Sequence, residues 1–218
     1  MKQNTLIGIV LAAAFTGGIW AAITISPPDK AISASEPEHF QFYPVARTLP
    51  DFQLTQANGE NLNAQSLQEQ WTLVFLGYTY CPDICPATMA GFNRIYPQLQ
   101  NIESEYPIRV LFLSVDPQRD TPERLSSYKS YFNDEFIAAT GSHEEIFPLV
   151  RSFGLVYSLS ESTEQTDYLV DHSASVIVVS PKAQVVGRFK PRAEVGQISI
   201  VSPDHIVADM PIVVSNYR

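Results

Sequence analysis

The only two cysteines of this chain stand four positions apart, in Cys81-Pro-Asp-Ile-Cys85-Pro86. A thiolate is both a nucleophile and a soft-metal ligand, so three chemistries are open to the pair. A disulfide staple is the least useful, because closing so short a loop removes little entropy from the unfolded chain. Thiol–disulfide exchange is the second, as in Cys-x-x-Cys oxidoreductases, although here three residues separate the sulfurs. The third is a metal chelate, since paired thiolates select Cu(I) or zinc over hard cations. Two sulfurs leave most metals under-coordinated, so a third ligand is wanted.

Four histidines could supply it. His39 falls in a proline-rich stretch and reads as a solvated loop residue. His143 stands beside Glu144 and Glu145 at a helix start, where capping or exposure is the default. His205 occupies the first turn of the last helix and also reads as exposed. His172 differs: it lies in Tyr168-Leu-Val-Asp171-His172-Ser173, immediately before the apolar run Val176–Val179. With a cysteine pair to join, it is the candidate third ligand. A zinc-structured interaction module is a further class, which predicts unfolding by chelators.

Several elements must position these groups. Trp71–Leu76 is a continuous apolar run, suited to a strand buried on both faces. The cysteines follow at once, at the carboxyl end of that strand, where α/β sheets expose functional groups. Apolar residues then recur at Met89, Phe92, Ile95, Tyr96, Leu99 and Ile102, which predicts a helix kinked or shortened by Pro97. Pro86 fits the first helical position with Cys85 near the N-cap, where free N–H groups and the helix dipole stabilise a thiolate. Arg109–Val115 reads as a second buried strand. Thr121-Pro122-Glu123 reads as the start of a helix carrying Leu125, Tyr128 and Phe132, and Glu144–Phe153 as another, stopped by Gly154. Val176–Val179 and Val185–Phe189 read as a hairpin, and Phe52–Leu54 with Asn61–Leu62 as an N-terminal hairpin around Asn58-Gly59. A last helix begins near Ser202-Pro203, with Pro211 inside it. This order predicts an α/β fold, a mixed sheet flanked by helices.

The 218 residues carry 14 Lys plus Arg against 23 Asp plus Glu, a net charge of −9. That balance argues against nucleic acid as a partner. Aromatic residues at 11% argue for a real core and against a disordered chain. Leu6–Ile25 runs for 20 residues without a charge, about 30 Å as a helix, and predicts one transmembrane anchor rather than a cleaved signal peptide. Lys2 places residues 1–5 in the cytoplasm. Residues 26–44, with Pro27, Pro28, Pro37 and Pro44, read as a linker, and 45–218 as one exported domain.

Three segments in order, Gly77-Tyr-Thr-Tyr-Cys-Pro-Asp-Ile-Cys-Pro86, Ser114-Val-Asp-Pro-Gln-Arg-Asp-Thr-Pro122 and Asp167-Tyr-Leu-Val-Asp-His-Ser173, resemble the signatures of the Sco/SenC family. These are membrane-anchored copper chaperones for cytochrome c oxidase assembly. The resemblance covers Phe52 to Phe189, including the family's spacing of 87 residues between Cys85 and His172. It implies a thioredoxin-like fold and one copper, Cu(I) and often Cu(II), held by Cys81, Cys85 and His172. It implies delivery to the copper-A site of oxidase subunit II, or reduction of that subunit's cysteines. It also implies a bacterial plasma membrane protein, single-pass, with its soluble domain on the periplasmic or extracytoplasmic side. Asp116 matches the second signature, as a turn residue or as a support of the site. Asp171 either orients the imidazole of His172 or caps the chain. Tyr80 stands where many relatives carry His, which removes a fourth nitrogen. Only Met1, Met89 and Met210 exist, so there is no methionine-rich tract. The rival is a membrane-tethered thiol–disulfide oxidoreductase. Such enzymes usually set a proline against the dithiol, and Asp171-His172-Ser173 offers none.

Overall fold

A computed structural model describes residues 14–16, 18, 20, 36–159, 168–192 and 199–217. The chain divides into two units, residues 1–35 and 36–218. In the first unit the described residues are helical, with Phe15 and Trp20 exposed. Most of the expected anchor 6–25 lies outside the described residues. Among the described residues, no helix is long and apolar enough to cross a membrane.

The second unit is built on β4 (Trp71–Gly77), which is buried at all seven positions. Its apolar run needs cover on both faces and neighbours on both edges. β5 (Ile108–Ser114) lies parallel to it on one side, and β9 (Val176–Val179) antiparallel on the other. β6 (Ile137–Thr140) extends the parallel part beyond β5. The hairpin of β2 (Leu54–Gln56) and β3 (Asn61–Leu62) forms as expected, with Gly59 in the left-handed region at φ 84°, and adds antiparallel to β6. β10 (Gln184–Phe189) continues from β9, and β1 (Phe40–Thr48) closes the far edge. The eight-stranded order is β1-β10-β9-β4-β5-β6-β2-β3. This mixed sheet is consistent with the thioredoxin-like expectation.

The stretch 26–44, expected as a linker, ends sooner: from Phe40 the chain is in the sheet. Pro44 did not prevent this because β1 is an edge strand, where a missing N–H is tolerated. Its pairing with β10 shifts between Phe42 and Arg47, around that proline. The strand's start is pinned by the buried carboxylate of Asp209, which accepts the backbone N–H of His39 at 2.5 Å and of Phe40 at 2.7 Å.

Among the described residues, four α-helices and a short 3-10 turn at Gln65–Leu67 complete the second unit: α1 (Ile84–Gln100), α2 (Pro122–Ser130), α3 (His143–Ser152) and α4 (Pro203–Asn216). Thr121 caps α2 by accepting Arg124 N–H at 3.3 Å, with Pro122 in the first turn, as expected. Gly154, at φ 73°, ends α3. α1 and α4 approach closely at Gly91, where a Cβ would stand 2.7 Å from Pro203. A small ribbon outside the main sheet pairs β7 (Tyr157–Leu159) with β8 (Val170–His172), antiparallel. The ribbon and β6 were not anticipated. Ala138 and Ala139 give β6 little strand signature, and three-residue strands carry too short a pattern.

Replacing Asp209 with Ala leaves two backbone donors without their acceptor. Urea unfolding of this variant is expected to show a loss of about 2–4 kcal/mol. An unchanged midpoint contradicts the pinning of β1.

Candidate metal centre

Parallel pairing of β4 with β5 brings the ends of both strands, Gly77 and Ser114, to the same edge of the sheet. The chain leaving β4 turns through Tyr78–Tyr80, and Cys81 N–H donates to the Tyr78 carbonyl at 3.2 Å. α1 then begins at Ile84, so Cys85 is its second residue and Pro86 its third, rather than N-cap and first. Asp83 holds the N-cap position, yet its side chain makes no capping bond. The sulfur of Cys81 takes that part: Cys85 N–H donates to Cys81 Sγ at 3.4 Å. The expected helix-end stabilisation is present, but it falls on Cys81.

Cys85 is fully buried and Cys81 half-buried; neither forms a disulfide. Gly77 makes room for the deeper thiol. A Cβ there would stand 2.8 Å from Cys85 Sγ and 2.5 Å from the ring of Phe112.

His172 closes the site from β8. Its Nε2 lies 3.6 Å from Cys85 Sγ, and the rings of Phe75 and Tyr78 meet it edge-on at 6.0 Å each. The ligand atoms of Cys81, Cys85 and His172 all lie within 4.8 Å of one another. Bonds of about 2.0–2.3 Å place ligand atoms about 3.3–4.0 Å apart in a trigonal or tetrahedral set. The widest pair therefore needs at most about 1–1.5 Å of closure for the three donors to hold one ion. Among the described residues no other group of three His, Cys, Asp or Glu offers this.

His172 Nδ1 lies 3.3 Å from the carbonyl of Ser173. A proton at Nδ1 aimed at that carbonyl leaves the Nε2 lone pair facing the sulfurs. Asp171 is exposed and is the residue before His172 on β8, so alternation turns it to the other face. The imidazole is thus oriented by a backbone carbonyl and not by Asp171. Asp116 is buried but makes its bonds to Tyr168 and Arg119, not to the sulfurs or the imidazole. His143 bonds the Tyr157 hydroxyl at 2.8 Å. His39 and His205 stack on each other at 3.6 Å, an arrangement their separate sequence contexts gave no hint of.

Sequence reasoning passed over Asp120, which is completely buried. Its carboxylate accepts Thr79 N–H at 2.9 Å and the hydroxyls of Thr79 and Ser114 at 2.6 Å each. It ties the turn before Cys81 to the end of β5, and burial raises its pKa. The only signal was a second acid in the Ser114–Pro122 segment. Tyr80, the residue before Cys81, is half exposed between the guanidinium groups of Arg119 and Arg124, at 4.8 and 4.3 Å.

The two thiols are electrostatically unequal. A hydrogen bond from Cys85, then contacts with His172 and the backbone N–H groups of Cys85 and Asp83, outweigh burial and hold Cys81 down at about 4. Burial, with the Cys81 thiolate beside it, pushes Cys85 far up. One proton is therefore shared by the pair at neutral pH, with Cys81 the thiolate.

Residues 43–201 match the SCO1/SenC family. This chain belongs to that family. The mitochondrial SCO1 homolog of Homo sapiens is 29% identical over 155 residues, which cover 71% of this chain and 52% of that protein. This SCO1/SenC chain thus spans about half that relative's length. Copper-bound ScoI of Arabidopsis thaliana is 28% identical, with a TM-score of 0.66 over 77% of this chain and 98% of that one. BsSco, a member of the Sco family of cytochrome c oxidase assembly proteins, shares the fold at 22% identity and a TM-score of 0.59, covering 82% of this chain and 99% of that one.

Two outcomes test this geometry. Gly77→Ala forces the thiol of Cys85 and the ring of Phe112 aside; it is expected to destabilise the reduced protein by about 1–3 kcal/mol in urea unfolding. The depressed pKa of Cys81 stabilises the reduced protein fully above its ordinary value of 9; this contribution shrinks as pH falls and is gone below about 4. Cys85, raised, contributes no slope in that window. Thermal unfolding between pH 5 and 8 is therefore expected to show a slope that Cys81→Ala reduces. An identical slope in both proteins contradicts the assignment.

Proposed function

We propose that this SCO1/SenC protein is a copper chaperone that holds one copper ion with Cys81, Cys85 and His172. It delivers that ion to, or prepares the cysteines of, the copper-A site of cytochrome c oxidase subunit II. The observation that carries this reading is the convergence of two sulfurs and one imidazole within 4.8 Å, although His172 lies 87 residues beyond Cys85. Soft sulfur donors with an imidazole suit Cu(I). The half-exposed position of Cys81 supports release: an incoming thiolate can reach the metal and displace ligands one at a time. Copper bound to the Arabidopsis relative supports the same cargo.

The uncharged run Leu6–Ile25 supports a single-pass anchor, with the domain on the periplasmic or extracytoplasmic side of a bacterial plasma membrane. The acidic chain would not cling to anionic headgroups, so the anchor alone would hold it at the membrane.

A second reading draws support from the unequal thiols. A half-exposed thiolate beside a buried thiol is how a thiol–disulfide oxidoreductase arranges its attacking and resolving sulfurs. One substitution separates the two. In His172→Ala, Cu(I) affinity measured against a chromophoric chelator is expected to fall by more than the about 10–100-fold that an outer partner is worth. Dithiol exchange with a small disulfide should persist. Lost exchange with retained copper reverses the assignment.

A further inference from the structure

Beside the metal centre, a buried cluster joins all three segments that build the site. Asp116, two residues past the end of β5, is 1% exposed. Both its carboxylate oxygens are engaged: the Tyr168 hydroxyl donates to Oδ1 at 2.5 Å, and Arg119 Nε to Oδ2 at 2.5 Å. The Arg119 guanidinium lies 3.5 Å above the Tyr168 ring, and within 4.8 and 5.5 Å of the rings of Tyr80 and Tyr78. Tyr78 and Tyr80 belong to the turn that delivers Cys81. Tyr168 leads into β8, four residues before His172. The contact runs both ways, since the Tyr78 ring meets the His172 ring edge-on at 6.0 Å.

Among the described residues, β8 pairs only with β7 and not with the eight-stranded sheet. A two-stranded ribbon is marginal by itself. His172 is therefore held over the cysteines by its pairing with β7, by the short run to β9, and by side chains that fasten the ribbon's lead-in. Of the bonds that reach the ribbon's lead-in, the one from Tyr168 to Asp116 is buried and charge-assisted, the strongest kind available.

We propose that Asp116 is a positioning residue: through Tyr168 and Arg119 it latches the His172 ribbon against the cysteine turn and sets how long the imidazole stays a ligand. The consequence for copper rests on the function proposed above. The latch itself is a property of the metal-free chain. A carrier must keep its third ligand in place until an acceptor arrives and then let it go. A buried bond at the base of a short two-stranded ribbon, with Gln118 Oε1 3.2 Å from the same hydroxyl, is placed to bias that element between a docked and a released position.

Tyr168→Phe keeps the ring beneath Arg119 and removes only the donated proton. In the metal-free, reduced protein, amide hydrogen exchange at Val170 and His172 is expected to quicken about tenfold, while exchange in β4 and β5 stays slow. With Cu(I) loaded, transfer to excess bicinchoninate is expected to quicken by a similar factor, about tenfold, at unchanged stoichiometry. In a His172→Ala background the same substitution should leave the transfer rate unaltered, because no imidazole remains to be released. A purely structural role for the cluster would speed both backgrounds alike, and that result overturns positioning through His172. Unchanged exchange at Val170 and His172 overturns the latch. Asp116→Asn, which keeps an acceptor for Tyr168, is expected to fall between wild type and Tyr168→Phe in the exchange measurement. Should the wild type retain no copper, the chaperone reading falls, and the exchange measurement still decides the latch.

Discussion

The site depends on a sulfur standing where a helix cap normally stands. The first N–H groups of α1 need acceptors. Asp83 does not supply one through its side chain, and Cys81 Sγ accepts from Cys85 instead. That choice fixes several things together. Together with the hydrogen bond from the Cys85 thiol, which is the larger effect, it holds Cys81 as the thiolate of the pair, and it sets that sulfur beside the buried Cys85 and within 4.8 Å of the His172 nitrogen. The same thiolate thus caps the helix and is available as a soft donor, with no separate carboxylate spent on the cap.

Around this pair the structure divides rigidity unevenly. The sulfur side is anchored from below: Gly77 seats Cys85, and Asp120 binds the Thr79 turn to the end of β5 through buried hydrogen bonds. The imidazole side hangs on a short ribbon, with the Ser173 carbonyl setting the ring and Asp116 fastening its lead-in. A donor set with two fixed members and one tethered member suits the carrier role proposed above. A fully rigid cage would hold the ion against any acceptor.

Much of this was legible in the residues. The unbroken apolar runs of β4, β5 and β9 announced buried strands, because no polar face interrupts them. Thr121-Pro122-Glu123 announced α2, and Asn58-Gly59 the hairpin, because local backbone chemistry decides such features. Cys81, Cys85 and His172 were named from residue type and motif. Less legible were elements whose stability comes from elsewhere. β1 runs through a proline-bearing stretch and is held by Asp209, some 170 positions away. Asp116 and Asp120 differ little as letters in one acidic segment, and only the turn after β5 sends one to Tyr168 and the other to Thr79.

What the linear chain determined was the inventory: two thiols four apart at a strand's end, one histidine before another strand, and the periodicities that make a mixed sheet. Which nitrogen faces the sulfurs, which sulfur carries the charge, and which acid supports which side were settled only by folding. Those properties depend on distances between groups far apart in sequence and on how completely water is removed from each, and neither quantity exists until the sheet has closed.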